Sequence, residues 1–314
     1  MYEDCFVEEE NRIYKEEYVY SRYWHGYNVY LRPLLIIFDY LQIEILSGII
    51  FLVLFIILEK VIYEKVGKFF ALAMMFSLFS ISYHTLWLSV ALVPTMIIMM
   101  VATIIVITKY EKIKDFGVFF FIIGSITNFF GWMNFQFNTL TIPLMFFYLK
   151  KKDDNFSFKE FFKLCFMWGL GFGITWISKW VITDILYDTN TIKNGIMQVI
   201  YRAGENTYEY GNVNAIKSLV TNLVYILIPI FIQYLILIFD NMFKFRKPLK
   251  INKKEIIIYV LILLIPFITC ILFKNHSYLH ARSFVYRNFI ILVFNIFVLY
   301  YKKFIDNGKK EVSN

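Results

Sequence analysis

Three stretches of the chain gather side chains that could do chemistry, and all three are built from cations, imidazoles and aromatic rings. The first reads Ser21-Arg22-Tyr23-Trp24-His25-Gly26-Tyr27 and runs on to Leu31-Arg32-Pro33-Leu34. Arg22 and His25 stand three apart, a spacing that shares one face of a helix, and Gly26 opens space beside them. A guanidinium is a planar fork suited to phosphate oxygens, so one reading is a phosphate-linked ligand. The other is an interfacial anchor, with Trp and Tyr at the membrane edge and Arg against lipid phosphate.

The second stretch runs Asn275-His276-Ser277-Tyr278-Leu279-His280-Ala281-Arg282-Ser283-Phe284-Val285-Tyr286-Arg287 and holds two of the chain's four histidines. His276 and His280 are four apart, as are Arg282 and Tyr286, which on a helix makes two polar stripes. An anionic ligand and a purely structural pairing both fit. Metal fits least, because the histidine pair lacks the Glu of a zinc-protease helix and no third ligand is fixed by spacing.

The third is Trp168-Gly169-Leu170-Gly171-Phe172-Gly173-Ile174-Thr175-Trp176-Ile177-Ser178-Lys179-Trp180, with Asp184 beyond it. Gly169 and Gly173 form a small-xxx-small pattern for close helix packing. Lys179 lies inside the same apolar run, where an ammonium costs about 2.5–3.5 kcal/mol at mid-membrane on insertion scales. It must therefore face a cavity or a partner, for which Asp184 is a candidate. Smaller polar sets accompany these: Ser82, Tyr83 and His84; Asn128, Trp132, Asn134, Gln136 and Asn138; Asp39 and Glu44.

The elements that position these residues follow from composition. Of 314 residues 59% are hydrophobic, 20% aromatic and 18% charged, with a mean hydropathy of +0.59. Ordinary soluble domains carry about 45–50% apolar and about 25% charged residues, and here the excess comes in long runs, as a lipid solvent selects. The three cysteines, Cys5, Cys165 and Cys270, match neither a disulfide framework nor a zinc spacing.

Nine apolar runs read as membrane spans over 36–58, 67–82, 86–108, 116–132, 136–149, 162–184, 219–241, 255–273 and 285–301. Lipid offers no hydrogen bonds to an open backbone, so these runs are expected as helices despite their Ile and Phe. The fold class is thus all-α integral membrane, with an outer acidic segment over 1–33, a polytopic domain over 34–301 and a cytoplasmic tail over 302–314.

The net charge of +8 would raise nucleic acid in a soluble chain, but its placement argues otherwise. Lys60 to Lys68, Lys109 to Lys114, Lys150 to Lys163, Lys244 to Lys254 and the tail after Tyr301 hold 21 of the 32 basic residues. Basic loops face the cytoplasm, so the turns at 81–86, 131–138 and 274–284 and the loop at 185–218 face outward, with the N-terminus out and the C-terminus in. Residues 1–33 contain no apolar segment and no signal peptide. The expectation is that Met1 is an internal start and that a first span precedes it; the alternative is direct translocation of an acidic N-tail, because carboxylates resist export less than Lys and Arg do.

The Tyr20-to-Tyr27 run, the Trp-Gly to Trp-Ile-Ser-Lys-Trp span and the Asn-His-Ser-Tyr, His, Tyr-Arg turn together resemble a group of bacterial polytopic membrane proteins from surface-polysaccharide contexts. That group in turn resembles the GT-C superfamily of membrane glycosyltransferases. The resemblance covers most of the chain through short motifs. It implies a sugar donor carried on polyprenyl phosphate, a glycan or lipid acceptor, the bacterial cytoplasmic membrane, and an acidic residue following the first span. On the expectation that this span precedes Met1, no base is transferred to Glu3 through Glu17, and metal dependence is left open. On this expectation Arg22, His25, Arg32, His276, Arg282 and Arg287 surround the donor phosphate. Asp39, His84, Trp132, Asn134, Lys179, His280 and Tyr286 line the cavity. The rival is a transporter or flippase for a lipid-linked or anionic solute, in which the same cations bind and nothing is cleaved; a third is a non-catalytic truncated chain.

Overall fold

The computed structural model describes residues 22–131, 133, 135–151, 156–187, 189–207, 211–249 and 252–306. In chain order the helices are α1 (Asn28–Leu34), α2 (Tyr40–Lys65), α3 (Lys68–Ser80), α4 (Val93–Lys109), α5 (Phe116–Phe130), α6 (Asn138–Lys150), α7 (Phe158–Tyr187), α8 (Thr191–Ala203), α9 (Ala215–Val224), α10 (Leu227–Lys244), α11 (Lys253–Leu272), α12 (Lys274–Leu279) and α13 (Ile290–Phe304). Single 3-10 turns over Tyr83–Leu88 and Val285–Phe289 interrupt them, and a two-residue pair, β1 (Asn206–Thr207) with β2 (Gly211–Asn212), closes the loop after α8.

Each of the nine apolar runs forms helix. Six stretches are long and apolar enough to cross a membrane: α2, Val93–Lys112, α7, α10, α11 and Val285–Phe304. The other runs are shorter. At 1.5 Å per residue, α3 spans about 20 Å against the roughly 30 Å of a hydrocarbon core. It stops where Ser82 takes the left-handed conformation (φ 54°) and the chain turns into the 83–88 segment. The run at 219–241 is split at Tyr225–Ile226 between α9 and α10.

Local chemistry sets the helix ends and their direction. Asp39 opens α2 with a reciprocal box: its carboxylate accepts from Gln42 N at 2.8 Å, and Gln42 Oε1 accepts from Asp39 N at 3.0 Å. Asp115, Asn214 and Asn252 cap α5, α9 and α11. α2, α4, α6, α10 and α13 all carry lysine in their last turn, while α3, α5, α7 and α11 carry no basic residue there. Cations at a helix C-terminus meet its negative dipole end, so one end of the bundle becomes basic. Contacts confirm a common pole: Lys163 meets Asp115 (3.6 Å), Lys151 meets Glu160 (2.5 Å), Lys302 meets Glu255 (2.9 Å), and Leu249 N donates to Lys303 O (2.7 Å).

The core is centred on α6, which is buried through Tyr148, together with α4 and α13. α2 and α10 are peripheral and present Ile, Leu and Phe outward. α5 and α7 cross closely through Gly124 and Gly171: a Cβ on Gly124 would lie 2.0 Å from Trp168 O, and one on Gly171 2.0 Å from Phe121 O. The small-residue face expected at Gly169 and Gly173 is not the packing face, since a Cβ at either position would meet nothing within 4 Å.

Candidate functional site: an aromatic collar with clustered cations

At the pole opposite the lysines, the 22–27 segment lies across the C-terminal half of α7. The indoles of Trp176 and Trp180 both donate to the Arg22 carbonyl, at 3.0 and 3.1 Å, and the Trp24 indole donates to Thr175 O at 2.6 Å. Gly26 is pressed onto α5, its N–H donating to Phe129 O at 2.8 Å, where any Cβ would collide with the Phe129 ring. His25 just before it takes the left-handed conformation (φ 50°), rarely held by a residue with a side chain except where surroundings enforce it. The three tryptophans, unremarkable as interfacial residues, are here the fasteners of a fixed loop.

Cations cluster on this collar. Lys179 Nζ sits 5.2 Å from the Trp24 ring centre, and the Arg202 guanidinium 5.5 Å from that of Tyr23, which itself stacks on Trp176. Arg22 Nη1 donates to Asn194 Oδ1 at 3.2 Å. Arg202 Nη1 also reaches Met133 Sδ (3.6 Å), and the Met133 carbonyl accepts from His276 Nε2 at 2.7 Å. His276 and His280 lie edge to face with centres 4.7 Å apart. Through Arg202 and Met133, two motifs some 250 residues apart in sequence thus meet at one place.

Burial and neighbouring cations hold these imidazoles neutral. The His276 ring is pushed down to about 3, first by burial and then by Arg202 and His280. His280 is lowered by burial and Arg202, and His25 by burial and Lys179. With Nε2 donating to Met133, His276 leaves Nδ1 as a bare acceptor, buried and without a partner. Among the described residues, the carboxylates Asp184 and Glu205 near these elements are engaged elsewhere. Asp184 accepts from Thr191 N (2.6 Å), Ile192 N (3.0 Å) and the Thr189 hydroxyl (2.7 Å), which makes it the N-terminal clamp of α8 rather than the partner of Lys179. Glu205 pairs with Lys274 at 2.7 Å.

The other expected site residues fall elsewhere. Arg32 is exposed on α1, and Arg282 is exposed in the 280–284 turn, which is not a helix and so does not stack Arg282 on Tyr286. Tyr286 donates to Ile81 O (3.1 Å), and Arg287 to Ser283 O and to Thr85 Oγ1 (3.4 Å), so this pair faces the 83–88 turn instead. His84 is exposed on that turn. Asp39 is a helix cap, and Trp132 and Asn134 lie outside the described residues. Among the described residues no group of three His, Cys, Asp or Glu gathers as a metal site.

Sequence reasoning missed Arg202 and Asn194, both on α8. The signal was present: Ile192, Ile196, Met197 and Ile200 recur with helical period, and all four are exposed, forming an apolar stripe suited to a membrane interface. Compared with known proteins, the chain matches no family model, no curated protein and no solved structure.

Proposed function

We propose that the collar binds the phosphate of a lipid-linked sugar at the outer face of a bacterial cytoplasmic membrane, and that the protein is a membrane glycosyltransferase of GT-C type. The observation that carries the reading is the placement of Lys179 over the Trp24 ring and of Arg202 over the Tyr23 ring, beside neutral histidines, while Asp184 and Glu205 are engaged elsewhere. Two cations set over aromatic rings favour an anionic ligand, and the guanidinium over Tyr23 offers a fork suited to phosphate oxygens. Charge on a departing phosphate grows during glycosyl transfer, so fixed cations would stabilise the transition state more than the bound donor.

In this reading the chain crosses the membrane nine times, with the lysine pole cytoplasmic and the collar outside. A carboxylate of an outer loop would deprotonate the acceptor hydroxyl. The test is to reconstitute the full protein with a labelled polyprenyl-phosphate sugar. Transfer to a glycan or lipid acceptor, abolished by Arg202→Leu, supports the enzyme. Movement of intact donor across the bilayer without cleavage would make the protein a flippase, and absence of donor binding would sink both.

A further inference from the structure

A further buried cation, Arg287, is held by residues other than those of the collar. Arg287 is 8% exposed, and its Nε is buried with no hydrogen-bond partner. Its two amino groups go to the Ser283 carbonyl and the Thr85 hydroxyl, and its face lies 4.9 Å from the Tyr286 ring centre. Among the described residues no carboxylate pairs with it. A buried guanidinium in an apolar bundle demands a counter-charge, because the desolvation of a cation is offset only by full pairing.

Thr85 follows directly on residues that line a groove in the surface. Because α3 ends early, the upper half of α2 rises past it, and the space between is bounded by Ile45, Ile49 and Leu52 on one side and Tyr83, His84 and Trp87 on the other. The groove encloses about 360 Å³, within the roughly 300–1,000 Å³ of ligand pockets. Gly48 forms its floor: a Cβ there would already stand 3.2 Å from the Trp87 ring. Its walls are hydrocarbon and aromatic, with His84 among the lining residues; Thr85, next in the chain and exposed, ties this turn to Arg287 by accepting from its guanidinium at 3.4 Å.

We infer that this groove holds one hydrocarbon chain of a phosphate-bearing lipid, whose phosphate is taken by Arg287 with Thr85 and His84. Apolar walls alone would accept any lipid tail; the unpaired guanidinium selects an anionic head. The site is separate from the collar and stands whether or not the collar performs glycosyl transfer.

The test uses the full protein in phosphatidylcholine nanodiscs carrying a trace of photoreactive phosphatidic acid or of the diacylglycerol with the same diazirine-bearing chains. Cross-links at residues 45–52 and 83–87 are quantified by mass spectrometry, with Phe239 and Phe243 on the exposed face of α10 as a gauge of general lipid contact and intact folding. Phosphatidic acid is expected to label the groove about tenfold more than diacylglycerol, the worth of one charge-assisted contact. Arg287→Gln should erase that preference while leaving α10 labelling unchanged. Gly48→Leu, which fills the floor but keeps the cation, should lower groove labelling by both probes. Equal labelling by the two probes in the unaltered protein, or a preference that survives Arg287→Gln, overturns the inference.

Discussion

Gly124 and Gly171 bring α5 and α7 so close that the Trp168 carbonyl occupies the space a methyl group on Gly124 would need, and the Phe121 carbonyl that of one on Gly171. Ser125 secures the same crossing by donating to Gly171 O at 3.2 Å. Gly171→Ala is therefore expected to destabilise the protein by about 1–3 kcal/mol, the cost of overpacking. Gly169→Ala and Gly173→Ala, whose added methyls meet nothing, should be neutral or slightly stabilising through helix propensity. Thermal unfolding in detergent distinguishes the two classes, and equal losses for all three would contradict the crossing.

The neutral His276 makes stability depend on pH in a definite direction. The folded ring is depressed to about 3 while the unfolded ring titrates near 6.5. As pH falls below 6.5 the unfolded chain takes up a proton that the folded chain refuses. This contribution is absent above 6.5, and below it stability is lost at up to about 1.4 kcal/mol per pH unit until the folded value is reached. His280 adds in the same sense. Denaturation of the wild type and His276→Gln at pH 7.5 and 5.5 should show the wild type losing about 1 kcal/mol more than the variant.

Arg202 and Arg282 separate two models of the collar. Arg202→Lys keeps the charge but loses the flat guanidinium over Tyr23, and is expected to weaken binding of an anionic ligand by about tenfold. Arg282→Lys, at an exposed position in the turn, should change it less than about twofold. Titration of tryptophan fluorescence with a lipid phosphate reads both, since Trp24, Trp176 and Trp180 report on the same loop. Greater damage from Arg282 than from Arg202 would return the site to the turn.

At the basic pole, Glu255 is almost buried and is held by Lys302 at 2.9 Å and the Tyr259 hydroxyl at 2.9 Å. Lys302→Met strands that carboxylate and should cost roughly 2–3 kcal/mol, whereas the double change with Glu255→Gln should recover much of the loss. A double-mutant cycle by chemical denaturation measures the coupling. A coupling near zero would show that Glu255 does not depend on Lys302.

The helical architecture was legible because lipid permits few alternatives: runs of Ile, Leu and Phe bounded by lysines can only be helices with their ends in basic loops. Span length was less legible. Nothing in the residues 67–82 announces that α3 stops at Ser80, since the stop is a tertiary event in which Tyr83 packs between Phe51, Phe55 and Phe79. Motif membership was legible for Arg22, His25, Lys179, His276 and His280, whose residue types are costly in an apolar chain and so draw notice. Pairing was not. Lys179 chose the face of Trp24 over Asp184 because the carboxylate was taken by three donors at the start of α8, and such competition is decided by geometry that spacing does not carry. Arg202 escaped because it sits in a long polar connection, where one arginine looks like any solvated charge.

The buried α6 has a consequence for how the protein is made. It is thirteen residues long, contains Pro143 and the polar Asn138, Thr139 and Thr141, and is surrounded by protein along nearly its whole length. Alone it is too short and too polar to partition into lipid as an independent unit. The Asn138 amide nitrogen meets a carbonyl acceptor only when Arg287 O arrives at 3.1 Å, and Thr139 bonds Thr127 of α5 and Trp168 of α7. The residues that complete its seat are thus synthesised up to about 150 positions later. Membrane insertion of this segment must therefore be finished by assembly rather than precede it, and a ribosome-bound chain halted before α13 emerges should leave α6 unsettled and open to extraction.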